Sequence, residues 1–301
     1  MNRSSVLAAI LVILAPGIAG AQLSDRAAWA AYAPNAHQVT PDITYLTAEN
    51  WESKLDLYVP RNAAAPAPTL IYFHGGFWVR GSKDASVLNV LPYLEMGWAV
   101  VNVGYRLGRT SLAPAAVEDA RCALRWVVRN AAQYRLDTSR IVVTGHSAGG
   151  HLSLTTGMLS AAAGLDDRCP GTEPMDVAAI IDWYGPTDVG DLLEGANRRD
   201  AVVEWMGGMP NRLEVAERVS PMNYVRADLP PILTIHGDAD AVVPYQHAVG
   251  LHAALEAVGA EHELLTIPGG GHGGFTVAQT VEIFETIHRF LGDHGITDRP
   301  Q

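Results

Sequence analysis

A serine hydroxyl becomes a nucleophile only when a neighbouring base takes its proton, and that base needs a carboxylate to orient it and stabilise its cation. Three stretches of this 301-residue chain hold those groups in the order serine, acid, histidine: Gly145-His146-Ser147-Ala148-Gly149, His236-Gly237-Asp238-Ala239-Asp240 and Gly271-His272-Gly273. Ser147 is the candidate nucleophile, Asp240 the acid and His272 the base. An oxyanion formed at Ser147 needs N–H donors beside it, and small residues let backbone approach that closely. His74-Gly75-Gly76-Phe77-Trp78 supplies such a turn. The N–H groups of Gly76 and Phe77, with that of Ala148, are therefore the candidate oxyanion hole.

Each assignment has a rival. Asp188, in Tyr184-Gly185-Pro186-Thr187-Asp188, also follows a strand-like run and competes with Asp240 for the acid role. His74 precedes its turn and reads better as a support for it than as an acid or base. His146 and His151 flank the serine as packing or pocket-wall residues. Trp78, His146 and Trp205 are the candidate substrate-binding residues, with Met206 and Tyr224 as further wall candidates, against the alternative that several of these aromatics are core. Arg106 and Asp119 read as a buried ion pair locking a helix to the sheet.

The elements that must position these groups follow from hydrophobic period. Ile141 to Thr144 is a β-branched run that meets the glycine-flanked serine and continues with helical spacing, giving strand, tight turn and helix. Thr69 to Phe73, Ala99 to Val103 and Val177 to Tyr184 are the other buried runs, and Ile232 to Ile235 and Glu263 to Ile267 the last two strands. Ser86 to Met96, Ala115 to Ala131, Tyr245 to Val258 and Val277 to Leu291 carry helical spacing. Asp42 to Leu46 and Lys54 to Val59 alternate around Asn50, as an antiparallel edge pair does. The expectation is an α/β fold: a mostly parallel eight-stranded sheet flanked by helices. A short cap insertion, about residues 187–229, follows the sixth strand, where periodicity is weak. Residues 22–41 read as an extended N-terminal segment and 42–301 as one domain.

Composition narrows the partners. The formal net charge is −11, which points away from nucleic acid and anionic membrane. Arg3, the apolar run Val6 to Ala15 and the small residues Ala19-Gly20-Ala21 form a secretory signal peptide over residues 1–21, with cleavage expected before Gln22 and a periplasmic or secreted destination. That run is about half of the roughly 18 residues a membrane span needs, so no anchor is expected. Cys122 and Cys169 permit one disulfide, while Cys122 would be equally at home as a buried thiol. Neither lies in a C-x-x-C pair and the histidines are scattered, so no metal site is expected.

Taken together, the four quoted motifs resemble those of α/β-hydrolases of the feruloyl- and acetyl-esterase-like (BD-FAE-like) group, over roughly residues 40 to 292. That group is similar to hormone-sensitive-lipase-type esterases and to prolyl oligopeptidase peptidase domains. The resemblance implies carboxylic-ester hydrolysis through an acyl-serine, without a cofactor. Phe77 departs from the lipase-type pattern, which has a third glycine there. The expected substrate is a small ester of a short-acyl or aromatic acid, carbohydrate-linked conjugates included. An exopeptidase or amidase is the second reading and a non-catalytic binding protein of the same fold the third. Oligomeric state stays open.

Overall fold

The computed structural model describes residue 32 and residues 35–194 and 196–297; the signal-peptide reading lies outside them. Eight strands form one sheet: β1 (His37–Ala48), β2 (Trp51–Pro60), β3 (Ala67–Phe73), β4 (Ala99–Val103), β5 (Leu136–His146), β6 (Ala179–Trp183), β7 (Ile232–Gly237) and β8 (His262–Ile267). Their order is β1-β2-β4-β3-β5-β6-β7-β8. β1 and β2 are an antiparallel hairpin, and β2 pairs antiparallel with β4. The six strands from β4 to β8 across the sheet run parallel. Glu49 and Asn50 turn the hairpin with φ of 53° and 61°, the positive pair that a two-residue loop matched to strand twist requires.

β1 begins at His37, five residues before the alternating run that marks it in the sequence. It is an edge strand with one partner, so exposed polar residues such as Gln38 join the ladder without needing alternation. The central strands show the opposite rule. Every residue of β4 is buried, and alternate residues feed two cores, one on each face. Ile71, Phe73, Val101 and Val143 enter the core under the Ala115–Tyr134 and Ala148–Met158 helices. Leu70, Tyr72, Val100 and Val142 enter the other, which Ile283, Ile287 and Phe290 of the Val277–Asp293 helix close.

Three local features differ from the sequence reading. The Ser86 to Met96 periodicity resolves into a 3-10 turn, Asp84–Val90, and a short helix, Leu91–Glu95, with Pro92 in the first turn of the latter. Proline cannot donate the bond that would continue one helix through it. The helix expected over Ala115 to Ala131 runs on to Tyr134 and ends at Arg135, whose φ is 55°. The stretch between β6 and β7 holds helices at Val189–Leu193, Asp200–Met206 and Arg212–Arg218, each too short to register as a period. Cys122 and Cys169 are bridged across 47 residues of sequence. Arg106 is fully buried and donates to Asp119 from Nε at 2.9 Å and from Nη2 at 2.7 Å, tying the Ala115–Tyr134 helix to the end of β4.

Candidate active site

β3, β5, β7 and β8 all end at the same sheet edge, and each is followed by one of the motif stretches. The sharpest turn is at Ser147, with φ 57° and ψ −118°. A non-glycine residue there is strained, and the surrounding structure must hold it. Ser147 N–H donates to Trp183 O of β6 at 2.8 Å, which pins the turn. The helix then passes so close to β3 that a Cβ on Gly149 would lie 2.0 Å from Phe73 O. Only glycine fits.

From this turn, Ser147 Oγ sits 2.8 Å from His272 Nε2, and His272 Nδ1 sits 2.7 Å from Asp240 Oδ2. The other Asp240 oxygen accepts from Val242 N–H at 2.7 Å and Val243 N–H at 3.0 Å. His236 Nε2 lies 3.2 Å from Asp240 Oδ2. Burial alone would raise the Asp240 carboxyl. Hydrogen bonds from His236, His272 and Val242 N–H overrule it and hold the group well below the usual carboxylate range. His272 is 18% exposed at its side chain while Asp240 is sealed, so the relay runs from a fixed anion outward to a hydroxyl at the surface of the cleft.

The structure thus brings Ser147, His272 and Asp240 together. Asp188 is elsewhere: its Oδ1 accepts from Asp191 N–H as the N-cap of the Val189–Leu193 helix. The turn after β3 also approaches Ser147: a Cβ on Gly75 would lie 3.5 Å from Ser147 Cβ. Gly76 has φ 123°, and a Cβ there would lie 2.1 Å from Arg80 O; Phe77 and Trp78 also have positive φ, 54° and 59°. His74 stacks on Tyr105 with ring centroids 4.2 Å apart, and its Nδ1–H donates to Gly75 O at 2.8 Å. Burial pushes its imidazole down to about 4, so it braces the turn as a neutral ring. Ala148 opens the Ala148–Met158 helix, where a backbone N–H has no intrahelical acceptor.

Trp78 and Trp205 need correcting. Both are 0% exposed and stack on each other, with centroids 4.1 Å apart. Trp78 Nε1–H donates to His151 Nδ1 at 3.2 Å, and His151 Nε2–H donates to Val219 O at 2.7 Å. They are core against the cap and no part of a solvent-reached wall; Met206 is buried with them. Tyr224 Oη donates to Arg218 O. His146 does line a cavity, of about 430 Å3, together with Asn89, Trp183, Tyr184, Phe275 and Phe284. Sequence reasoning did not single out Trp183, Tyr184 or the His236 contact. His236 was legible in principle, four residues before Asp240 in the same motif.

The BD-FAE family model matches residues 55–255. Over 216 residues the chain is 32% identical to the esterase LipC of Mycobacterium tuberculosis, covering 69% of this chain and 53% of LipC's length. The chain spans about half the length of the curated relatives it matches first. Among solved structures, esterase 2 of Thermogutta terrifontis with butyrate bound superposes with a TM-score of 0.73 at 28% identity, over 88% of this chain and 97% of that one. A truncated carbohydrate esterase from gut microbiota gives 0.68 at 28%, over 86% and 97%. With the sheet order, the strained serine turn and two thirds of its length accounted for by that family model, this chain belongs to the BD-FAE family of α/β-hydrolases.

Proposed function

We propose that this protein is a serine carboxylic-ester hydrolase acting on short-acyl esters. The observation that carries the reading is the continuous relay from Ser147 Oγ through His272 to Asp240, at 2.8 and 2.7 Å. The Asp240 carboxylate accepts the Nδ1 hydrogen of His272, which leaves the Nε2 lone pair facing Ser147. His272 takes the Ser147 proton as Oγ attacks the ester carbonyl, and the imidazolium is stabilised by the buried anion behind it. The oxyanion is received by the N–H groups of Gly76, Phe77 and Ala148. His272 then protonates the departing alcohol. Water, deprotonated by the same nitrogen, releases the acid from the acyl-serine.

Support for short acyl groups comes from the connection between β6 and β7, whose helices span five, seven and seven residues, too short for an amphipathic lid over a lipid chain. The related Thermogutta esterase is described with propionate and with butyrate bound. A carbohydrate-linked alcohol is favoured by the likeness to a carbohydrate esterase. Export to the periplasm or beyond rests on the leader-like residues 1–21. Specificity constants for p-nitrophenyl esters from acetyl to palmitoyl, measured beside aminoacyl anilides, test the reading. They should peak between acetyl and butyryl. A steady rise towards palmitoyl, or faster cleavage of an anilide than of every ester, would overturn it.

A further inference from the structure

The residue just before Ser147 ends a chain of hydrogen bonds that none of these steps uses. Asn89 Nδ2 donates to Tyr72 Oη at 2.8 Å, and Tyr72 Oη lies 3.0 Å from His146 Nδ1. Tyr72 is 1% exposed, so its hydroxyl hydrogen needs an acceptor inside the protein. Asn89 already donates to that oxygen; the Ser86 hydroxyl also lies near it but gives its own hydrogen to Ser82 O, and His146 Nδ1, at 3.0 Å, is the acceptor within hydrogen-bond distance. A neutral imidazole that accepts at Nδ1 carries its hydrogen on Nε2. Burial, reinforced by repulsion from His272, pushes the His146 imidazole down to about 4, so the ring is neutral at neutral pH. With Nδ1 turned to the buried tyrosine, Nε2–H is the polar group the ring offers to the cavity it lines.

Which half of an ester enters that cavity follows from its walls. They include Gly273, Gly274 and Phe275, directly after His272, and not the turn that carries Gly76 and Phe77. The carbonyl oxygen faces the latter turn; the departing oxygen must face His272 Nε2 to be protonated. Resting on the esterase reading, we propose that the cavity receives the alcohol half of the substrate, and that His146 Nε2–H selects alcohols bearing a further acceptor oxygen, as polyols and sugars do. Trp183, with its ring centroid 4.6 Å from His146, and Phe284 supply apolar surface beside that donor, while Asn89, Tyr184 and Thr280 add further polar groups to the lining. Tyr72 and Asn89 are positioning residues, acting only through the tautomer of His146.

Two acetates of nearly equal size test this: butyl acetate and 2-methoxyethyl acetate, in which one methylene is replaced by an ether oxygen that can only accept. The wild-type ratio of kcat/KM, methoxyethyl over butyl, should exceed the ratio for alkaline hydrolysis by about threefold to tenfold, the worth of one hydrogen bond. His146→Phe should bring the ratio down to the alkaline value. His146→Gln, which keeps an N–H, should retain part of it, and Tyr72→Phe, which frees the tautomer, should lower it. A wild-type ratio equal to the alkaline one, or a ratio unchanged in His146→Phe and Tyr72→Phe, overturns the inference and leaves the esterase reading standing. Failure of the wild type to hydrolyse either acetate overturns both.

Discussion

Two clusters of aromatic and histidine side chains flank the serine turn, one on each face of the sheet, and they have opposite fates. On one face Trp78, Trp205 and His151 are closed by the cap: both indoles are fully buried, the rings stack, and His151 has hydrogen-bond partners at both nitrogens. On the other, His146, Trp183, Tyr184, Phe275 and Phe284 surround a cavity, and His146 is satisfied at Nδ1 by Tyr72. Both sides carry tryptophan and histidine. What separates them is cover: the three short helices between β6 and β7 bring Trp205 down onto Trp78, whereas the 3-10 turn Asp84–Val90 and the start of the Val277–Asp293 helix leave a gap between them. The sealed side is packed as core, and the open side leaves the cavity that we propose receives the substrate's alcohol half.

Truncating one large ring on each side should separate those roles most sharply. Trp205→Ala removes a fully buried indole and should cost about 3 to 5 kcal/mol of stability, read as a shift in denaturant midpoint, with the KM of the remaining folded enzyme little changed. Phe284→Ala removes a ring that is partly exposed, so the stability loss should be well under half of that. Its effect should instead be a rise in KM for esters with bulky alcohols. Equal stability losses, or a KM effect on the Trp205 side, would erase the distinction.

A smaller effect, in pH dependence, addresses the sealed side alone. Burial pushes His151 down to about 4, partly opposed by its hydrogen bond to Val219 O. Its folded pKa is depressed below the unfolded value of about 6.5, so the unfolded chain binds a proton that the folded chain refuses. Stability is then fully present above pH 6.5, falls as pH drops from 6.5 towards 4, and levels off below. His151→Gln should remove one proton from that slope, at most about 1.4 kcal/mol per pH unit. An unchanged slope in urea unfolding between pH 6.5 and 4 would show that His151 titrates normally.

These comparisons also locate what a sequence can and cannot carry here. β4, apolar but for Asn102, and Ile141 to Val143 of β5 are near-continuous apolar runs because both faces are covered, so their signal is strong. Ser147 and Asp240 were legible because each follows a buried strand and His272 because it follows the half-buried last one, and strand ends in a parallel sheet share an edge. Trp78 and Trp205 misled because an indole beside a glycine turn looks the same in sequence whether a distant helix covers it or not. Their fate was decided by packing between residues 127 positions apart, which no local period encodes. Trp183 and Tyr184 were hidden for the converse reason: they end a strand, so they read as core, yet both reach the cavity wall. The start of β1 at His37 was illegible because an edge strand needs no alternation.

The central claim is that Ser147 is the one nucleophile and that Asp240 works through His272. Treatment with a fluorophosphonate, followed by intact-mass measurement and peptide mapping, tests it most directly. The account predicts a single adduct, on Ser147, absent from Ser147→Ala, and a rate of labelling about ten-thousandfold slower in Asp240→Asn than in Asp188→Asn. An adduct on another serine, ester turnover by Ser147→Ala, or slower labelling in Asp188→Asn than in Asp240→Asn would contradict it.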